Sequence, residues 1–282
     1  MSMSNLGNRS GGGDAVDWSP ARRSATGERL VSLGIFVAIM ASWYLVTNFG
    51  GVPAYIIPPP QAVIQWLVTG FSAPLSSPVS FWYHTFITVQ EAFFGFVIGS
   101  ALGIAGGMAL AHWPAAERIL YPYVVAFQAL PKVAIAPLLV VWFGFGIEAK
   151  VLTVVVMTFF PLLVNSIAGY HAVEADRIDL ARASNATDLQ IFRLIILPSA
   201  APFIFAGLHM AAVISLLGAI VGEFVGARAG LGLLLLQYNN SMQMGGVFAI
   251  LFVLGVIGYF LNYMMQALEN YFCFWVKHQK GH

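Results

Sequence analysis

The sequence predicts an all-α membrane protein that crosses the bilayer six times, and three observations carry that prediction. Hydrophobic residues make up 59% of the 282 positions and charged residues only 9%, whereas an ordinary soluble domain carries about 25% charged residues. So few charges cannot coat a water-facing globule of this size. The apolar residues fall into runs of about twenty, the length an α-helix needs to cross the hydrocarbon core. Lysine and arginine, finally, collect on alternate connections between the runs, as the positive-inside rule requires.

Residues 1–29 are rich in Gly, Ser and charge and show no apolar period. Nothing in them offsets the entropy lost on ordering, so they are expected to form a disordered cytoplasmic tail. Residues 30–282 are expected to form one transmembrane domain. Its first run, 30–49, is too long for the apolar segment of a signal peptide and is read as the first span. Gly50-Gly51, Pro53, Pro58-Pro59-Pro60, Pro74 and Pro78 then interrupt the chain too often for a continuous helix, leaving a loop with one short interfacial helix at 61–70. Further spans are expected at 84–111, 119–143, 149–170, 197–221 and 247–268.

Arg9, Arg22, Arg23 and Arg29 precede the first span, Arg118 lies between the second and third, Arg177, Arg182 and Arg193 between the fourth and fifth, and Lys277 and Lys280 after the sixth. Only Lys150 and Arg228 fall on the other side, which places both termini in the cytoplasm. Two rows of small residues at four-residue spacing, Gly95, Gly99, Gly103 and Gly107, and Gly218, Gly222, Gly226 and Gly230, mark faces where helix backbones approach closely, within the chain or across a subunit interface.

Several function classes are excluded or disfavoured. A formal net charge of +1 with scattered charges offers no basic stripe for nucleic acid. The single Cys273 rules out an internal disulfide framework, and the six histidines are too dispersed for a metal cluster. None of the four lysines follows a glycine, so the phosphate loop of an ATPase is absent, and no GxSxG, HExxH or CxxC motif occurs. The chain is expected to be neither an ATPase nor another enzyme, and to bind no cofactor or metal itself.

The longest polar connection, 171–193, reads HAVEADRIDLARASNATDLQIFR, with LIILPSAAP after it. Its composition and the shared face of Leu180, Ala183 and Ser184 predict a short cytoplasmic helix at about 173–187. Pro198, closing the apolar turn that enters the next span, makes the connection a rigid joint. Asp179-Leu180-Ala181-Arg182-Ala183-Ser184-Asn185-Ala186, then Ile191-Phe192-Arg193 and Ile196-Leu197-Pro198, resembles the EAA loop of binding-protein-dependent ABC importer permeases. That family has Glu-Ala-Ala, three residues, Gly, and later an apolar residue before Leu-Pro. Here Asp179 stands for Glu, Leu180 for the first Ala and Asn185 for Gly; Asn tolerates the left-handed backbone such a turn needs. Gly95-Phe96, PKVAIAPLLVVWFGFG at 131–146, FFPLLVN at 159–165 and GAIVGEFVGARAGLG at 218–232 are similar to the nitrate, sulfonate and taurine branch, with FQALPKVAIAP and FFPLLVN nearest to permeases for pyrimidine thiamine precursors or riboflavin.

The resemblance implies the type I importer permease fold in the bacterial inner membrane, a homodimer of this chain, two cytoplasmic ABC ATPase subunits that carry the ATP and Mg, and an extracytoplasmic binding protein. It implies that Asp179, Leu180, Ala181, Arg182, Ala183, Asn185, Ala186, Leu197 and Pro198 couple the chain to the ATPase, and that the solute is a thiamine-precursor pyrimidine, riboflavin or a sulfonate-like compound. A self-sufficient secondary transporter or channel is the alternative. Ionisable groups inside spans are expensive and face a cavity or a partner, which makes Glu91, Lys132, His209 and Glu223, with Gln128 one turn before Lys132, the candidates for the translocation pathway. Lys132 either lines that path or forms a structural ion pair with Glu91 or Glu223. Glu223 is expected to form a local salt bridge with Arg228, and His209 to be hydrogen-bonded packing.

Overall fold

A computed structural model describes residues 25–275, and all regular structure among the described residues is helical. In chain order the α-helices are α1 (Ala25–Phe49), α2 (Pro60–Ser72), α3 (Phe81–His112), α4 (Pro114–Ala129), α5 (Ala136–Phe143), α6 (Ile147–His171), α7 (Ala175–Ala183), α8 (Asp188–Ile191), α9 (Leu197–Gly226), α10 (Leu231–Asn240) and α11 (Met244–Phe272). A 3-10 turn, Lys132–Ile135, joins α4 to α5, and a π-helical turn, Phe192–Ile196, joins α8 to α9. Five helices are long and apolar enough to cross a membrane, and the α4/α5 pair, bent by 85°, makes a sixth span if counted as one. Five of the six expected spans are found as long helices, the sixth, expected at 119–143, corresponds to the bent α4/α5 pair, and α2 covers the short helix expected at 61–70. The tail expected at 1–29 lies outside the described residues up to position 24, and α1 already includes 25–29.

The spans form because each is an apolar run bounded by punctuation that a helix cannot continue through. Pro60 and Pro114 sit in the first turns of α2 and α4, where a missing N–H costs nothing. Gly144, at φ 81, ends α5 in a conformation that a side chain resists. Most of the packing is built around α6, which lies between α3 and α9. The first glycine row makes this possible. All four of its residues are buried, and a Cβ at Gly103 would stand 2.6 Å from the Phe159 carbonyl oxygen and 2.9 Å from the Leu162 Cβ of α6. The row therefore packs within the chain. Gly218 and Gly222 do the same for α9, with Val154 Cα and Lys150 Cα of α6 each 3.2 Å from where a Cβ would stand.

A second core lies where α2, α10 and α11 meet α9, around Phe81, Leu231, Leu234 and Ile250, all at most 1% exposed. Trp66 and Tyr238 pack there with ring centroids 4.9 Å apart. α10 falls within the connection expected between the spans at 197–221 and 247–268: ten residues are too few for a span, and Gly230 and Gly232 disguise the start. α1 stands apart, with its apolar window 0% buried. It touches the body through the Trp43 indole N–H, which donates to the Pro58 carbonyl at 3.1 Å, and through Trp43 against Phe248.

These contacts fix a prediction. Gly103→Val overpacks the α3/α6 seam and should destabilise the detergent-solubilised protein by about 1–3 kcal/mol. Gly106→Ala, whose nearest neighbour would be 3.7 Å away, should unfold at the wild-type temperature. Equal thermal unfolding of the two variants would show that α3 and α6 are not in backbone contact.

Candidate functional site

The polar connection folds into a defined elbow. α7 ends with two reciprocal backbone bonds: the Asn185 N–H donates to the Arg182 carbonyl at 2.9 Å, and the Ala186 N–H reaches back to the Ala181 carbonyl at 3.0 Å. This is the Schellman closure, and it needs one residue in the left-handed region. Asn185 supplies it at φ 59. The next helix starts at once. The Thr187 side chain accepts from the Gln190 N–H at 3.4 Å, while the Thr187 N–H donates to the Gln190 Oε1 at 2.8 Å, a capping box.

From there the chain continues through α8 and the π-helical turn into α9, one span of 39 residues from Asp188 to Gly226. In the wide turn the Leu197 N–H donates to the Phe192 carbonyl, five residues back. Pro198, with no N–H to give, follows immediately. Widening the turn is one way a helix accommodates a proline, so the fifth span begins at Asp188 and not at the expected 197. No residue of α7 is buried, and Leu180 is 70% exposed. Arg177, Leu180, Ala181 and Ser184 line an open cleft of about 580 Å³ whose other wall includes Leu194, Pro198 and Trp275. The elbow thus brings Ala181 and Leu180 to the same cleft as Pro198. Asp179, Arg182, Ala183 and Leu197 are exposed beside them, and Asp179 and Arg182 stand 3.9 Å apart as a surface ion pair.

The pathway candidates separate into two environments. Glu91 and Glu223 are each 1% exposed, sealed where α3, α6 and α9 converge. The Lys150 ammonium donates to the Glu91 Oε1 at 2.8 Å. Glu223 accepts from the Thr88 hydroxyl at 2.6 Å and from the Gly232 N–H, and the Thr88 Oγ1 accepts the Leu231 N–H at 2.8 Å. His84 completes the cluster: its Nδ1 accepts the Gly230 N–H at 2.8 Å and its Nε2 faces the Pro78 carbonyl at 3.0 Å. Gly230 has φ 131, and a Cβ there would overlap the Glu223 carboxyl. The cluster ties the α9–α10 turn to α3.

Three expectations are corrected here. Glu223 does not bridge to Arg228, which is exposed, because the carboxyl turns inward to the N–H groups that open α10. Lys132 pairs with neither Glu91 nor Glu223; Lys150, in the first turn of α6, is the cation that pairs with Glu91. Glu91 and Glu223 do not face an open path in the protomer, since the small residues around them let the helices close over the carboxyls. Thr88, His84 and Lys150 were missed as site residues. The available signal was one acid and one base of opposite sign inside neighbouring apolar runs.

Lys132 lies in the second environment, at the break between α4 and α5. Its ammonium donates to the Gln128 carbonyl at 3.0 Å and sits 5.8 Å from the centroid of the Phe160 ring. Gln128 is exposed, and α4 contributes no buried residue to the protomer. His209 lies elsewhere, joining α9 to α11: its Nε2 is 3.0 Å from the Glu269 Oε2 and its Nδ1 is 3.4 Å from the Asn262 Oδ1.

Two measurements test this geometry. Lys150→Met leaves Glu91 buried without its cation and should cost about 3–5 kcal/mol of stability, most of it regained when Glu91→Met is added. A double variant no better than the single one in thermal unfolding would deny the pair. In the elbow, Asn185→Gly should leave amide exchange at Ala186 unchanged. Asn185→Val, a branched residue forced into the left-handed region at about 1–2 kcal/mol, should speed it by roughly five- to thirty-fold; wild-type exchange in the Val variant would contradict the Schellman closure.

Comparison with known proteins places this architecture. The family described as binding-protein-dependent transport system inner membrane component matches residues 95–271. The riboflavin transport system permease protein of Chloroflexus aurantiacus is 34% identical over 91% of this chain and 95% of its own length. The formylaminopyrimidine transport permease protein of Halalkalibacterium halodurans is 32% identical over 86% of this chain and 95% of its own. Among solved structures, a chain of the inward-facing MetNI methionine ABC transporter superposes with a TM-score of 0.54 at 21% identity, covering 74% of this chain and 97% of that one, a likeness of fold. The run of spans, the elbow and these matches agree: the chain belongs to the binding-protein-dependent ABC importer permeases, and is a multi-pass membrane subunit with the type I permease fold.

Proposed function

We propose that two copies of this chain form the translocation pathway of an ATP-driven importer for a thiamine-precursor pyrimidine, riboflavin or a sulfonate-like compound. An extracytoplasmic binding protein delivers the solute, and two cytoplasmic ABC ATPase subunits bind ATP and Mg and perform the hydrolysis. The chain itself binds no cofactor. It lies in the bacterial inner membrane with both termini in the cytoplasm.

The elbow is the observation that supports this reading most directly. A helix with no buried residue, closed by a Schellman motif and capped into a span that continues without a gap, is a poor spacer and a good handle. Between Asp179 and Ala186 the exposed side chains, with the partly exposed small Ala181 and Ala186, fit a groove on a partner. A push on α7 is carried into α9 because no slack joint separates them, and a two-state switch between inward- and outward-facing forms requires a linkage of this kind.

The test is Ala181→Trp. The residue lies outside the bilayer, so the variant should insert and dimerise as wild type does. Its bulk should collide in the ATPase groove at a cost of about 1–3 kcal/mol, a loss of roughly five- to hundred-fold in affinity. Co-purification of the ATPase and ATP-driven uptake in vesicles should both fall. Wild-type values in both would mean that this elbow is not the coupling element.

A further inference from the structure

No acid among the described residues forms an ion pair with Lys132. Among the described residues, the acids in the spans are engaged elsewhere: Glu91 with Lys150, Glu223 with Thr88 and Gly232, Glu269 with His209 and Gln266, and Glu117 with His171. Glu148 sits in the first turn of α6 and Asp188 at the first residue of the fifth span, both at span ends. The depth of Lys132 follows from its neighbour, since Phe160 lies near the middle of α6 (Ile147–His171). An ammonium has three donors, and the Gln128 carbonyl takes one. A half-buried cation at this depth is costly unless something polar meets it.

Its surroundings are aromatic. Phe127, one turn before the break, stacks on Phe160 with centroids 6.3 Å apart and planes 16° from parallel, and Phe127 is 56% exposed. The bend of 85° between α4 and α5 holds an aromatic face and an ammonium side by side.

We propose that Lys132 and Phe127 form a mid-membrane subsite for a planar ring with hydrogen-bond acceptors along its edge. The ring stacks on the open face of Phe127, and the remaining ammonium donors meet its carbonyl oxygens or ring nitrogens. Taurine, a zwitterion, would bring its own ammonium towards Lys132 together with its sulfonate and could not stack on Phe127, so the site favours the planar ring over it. The inference rests on the reading of this chain as a solute pathway, and it narrows the solute to a heteroaromatic class.

The experiment titrates the full-length permease, purified in detergent, into riboflavin and follows fluorescence anisotropy, with taurine as the non-planar competitor. Saturable binding is expected, unaffected by equimolar taurine, and weakened about tenfold or more by Lys132→Met and by Phe127→Leu; Lys132→Arg, which keeps the charge, should bind. Thermal unfolding of each variant separates lost binding from lost folding, and if Lys132→Met does not fold, Phe127→Leu decides. No saturable binding to wild type, wild-type affinity in Phe127→Leu, or displacement by taurine overturns the proposal. ATPase co-purification reports on the importer reading independently, so either can fail while the other stands.

Discussion

Everything else in this protomer is arranged around the backbone contact between α3 and α6. In a bilayer the lipid tails are as apolar as leucine, so helices gain little by hiding apolar surface from one another and associate through close van der Waals packing instead. Four glycines at four-residue spacing strip one face of α3, and α6 settles against it until its carbonyls and side chains stand where Cβ atoms would otherwise be. α9 completes the sandwich in the same manner through Gly218 and Gly222. Once these three helices are in register, the outer elements have only one surface to lean on.

The same closeness decides what charge is allowed inside. Glu91, Glu223 and Lys150 are tolerated at 1–6% exposure because each finds a partner from another helix, and burial of an unpaired charge would be far more costly. The cluster turns a liability into a fastening: Thr88 and Glu223 receive the N–H groups of Leu231 and Gly232, which α10 leaves without partners in its first turn. Lys132 is the contrasting case, a cation placed at a helix break where backbone and aromatic groups, not carboxylates, surround it.

Much of this was legible in the sequence, for identifiable reasons. Bilayer thickness sets the length of a span, so five of the apolar runs translate directly into long helices, while the run at 119–143 is broken by the bend between α4 and α5. Asn185 was legible because few residues accept a left-handed backbone. The Glu91–Lys150 pair was not, since its members are 59 positions apart and only the α3/α6 packing brings them together. α10 was hidden by its shortness and its two glycines. The start of the fifth span at Asp188 was hidden by Pro198, which reads as a boundary until the π-helical turn shows how the helix passes through it.

The unbroken run from Asp188 to Gly226 has a mechanical consequence. At 1.5 Å per residue it is a rod about 58 Å long, with the α7 elbow at one end and the Glu223–Gly232 fastening at the other. A rod of that length tilted by about 5° moves one end by roughly 5 Å relative to the other, about the pitch of a helical turn. The α7 elbow and the α9–α10 turn are therefore in the mechanical relation of the ends of a lever, and a small angular change at the α7 end becomes a displacement of residue size at the α9–α10 turn.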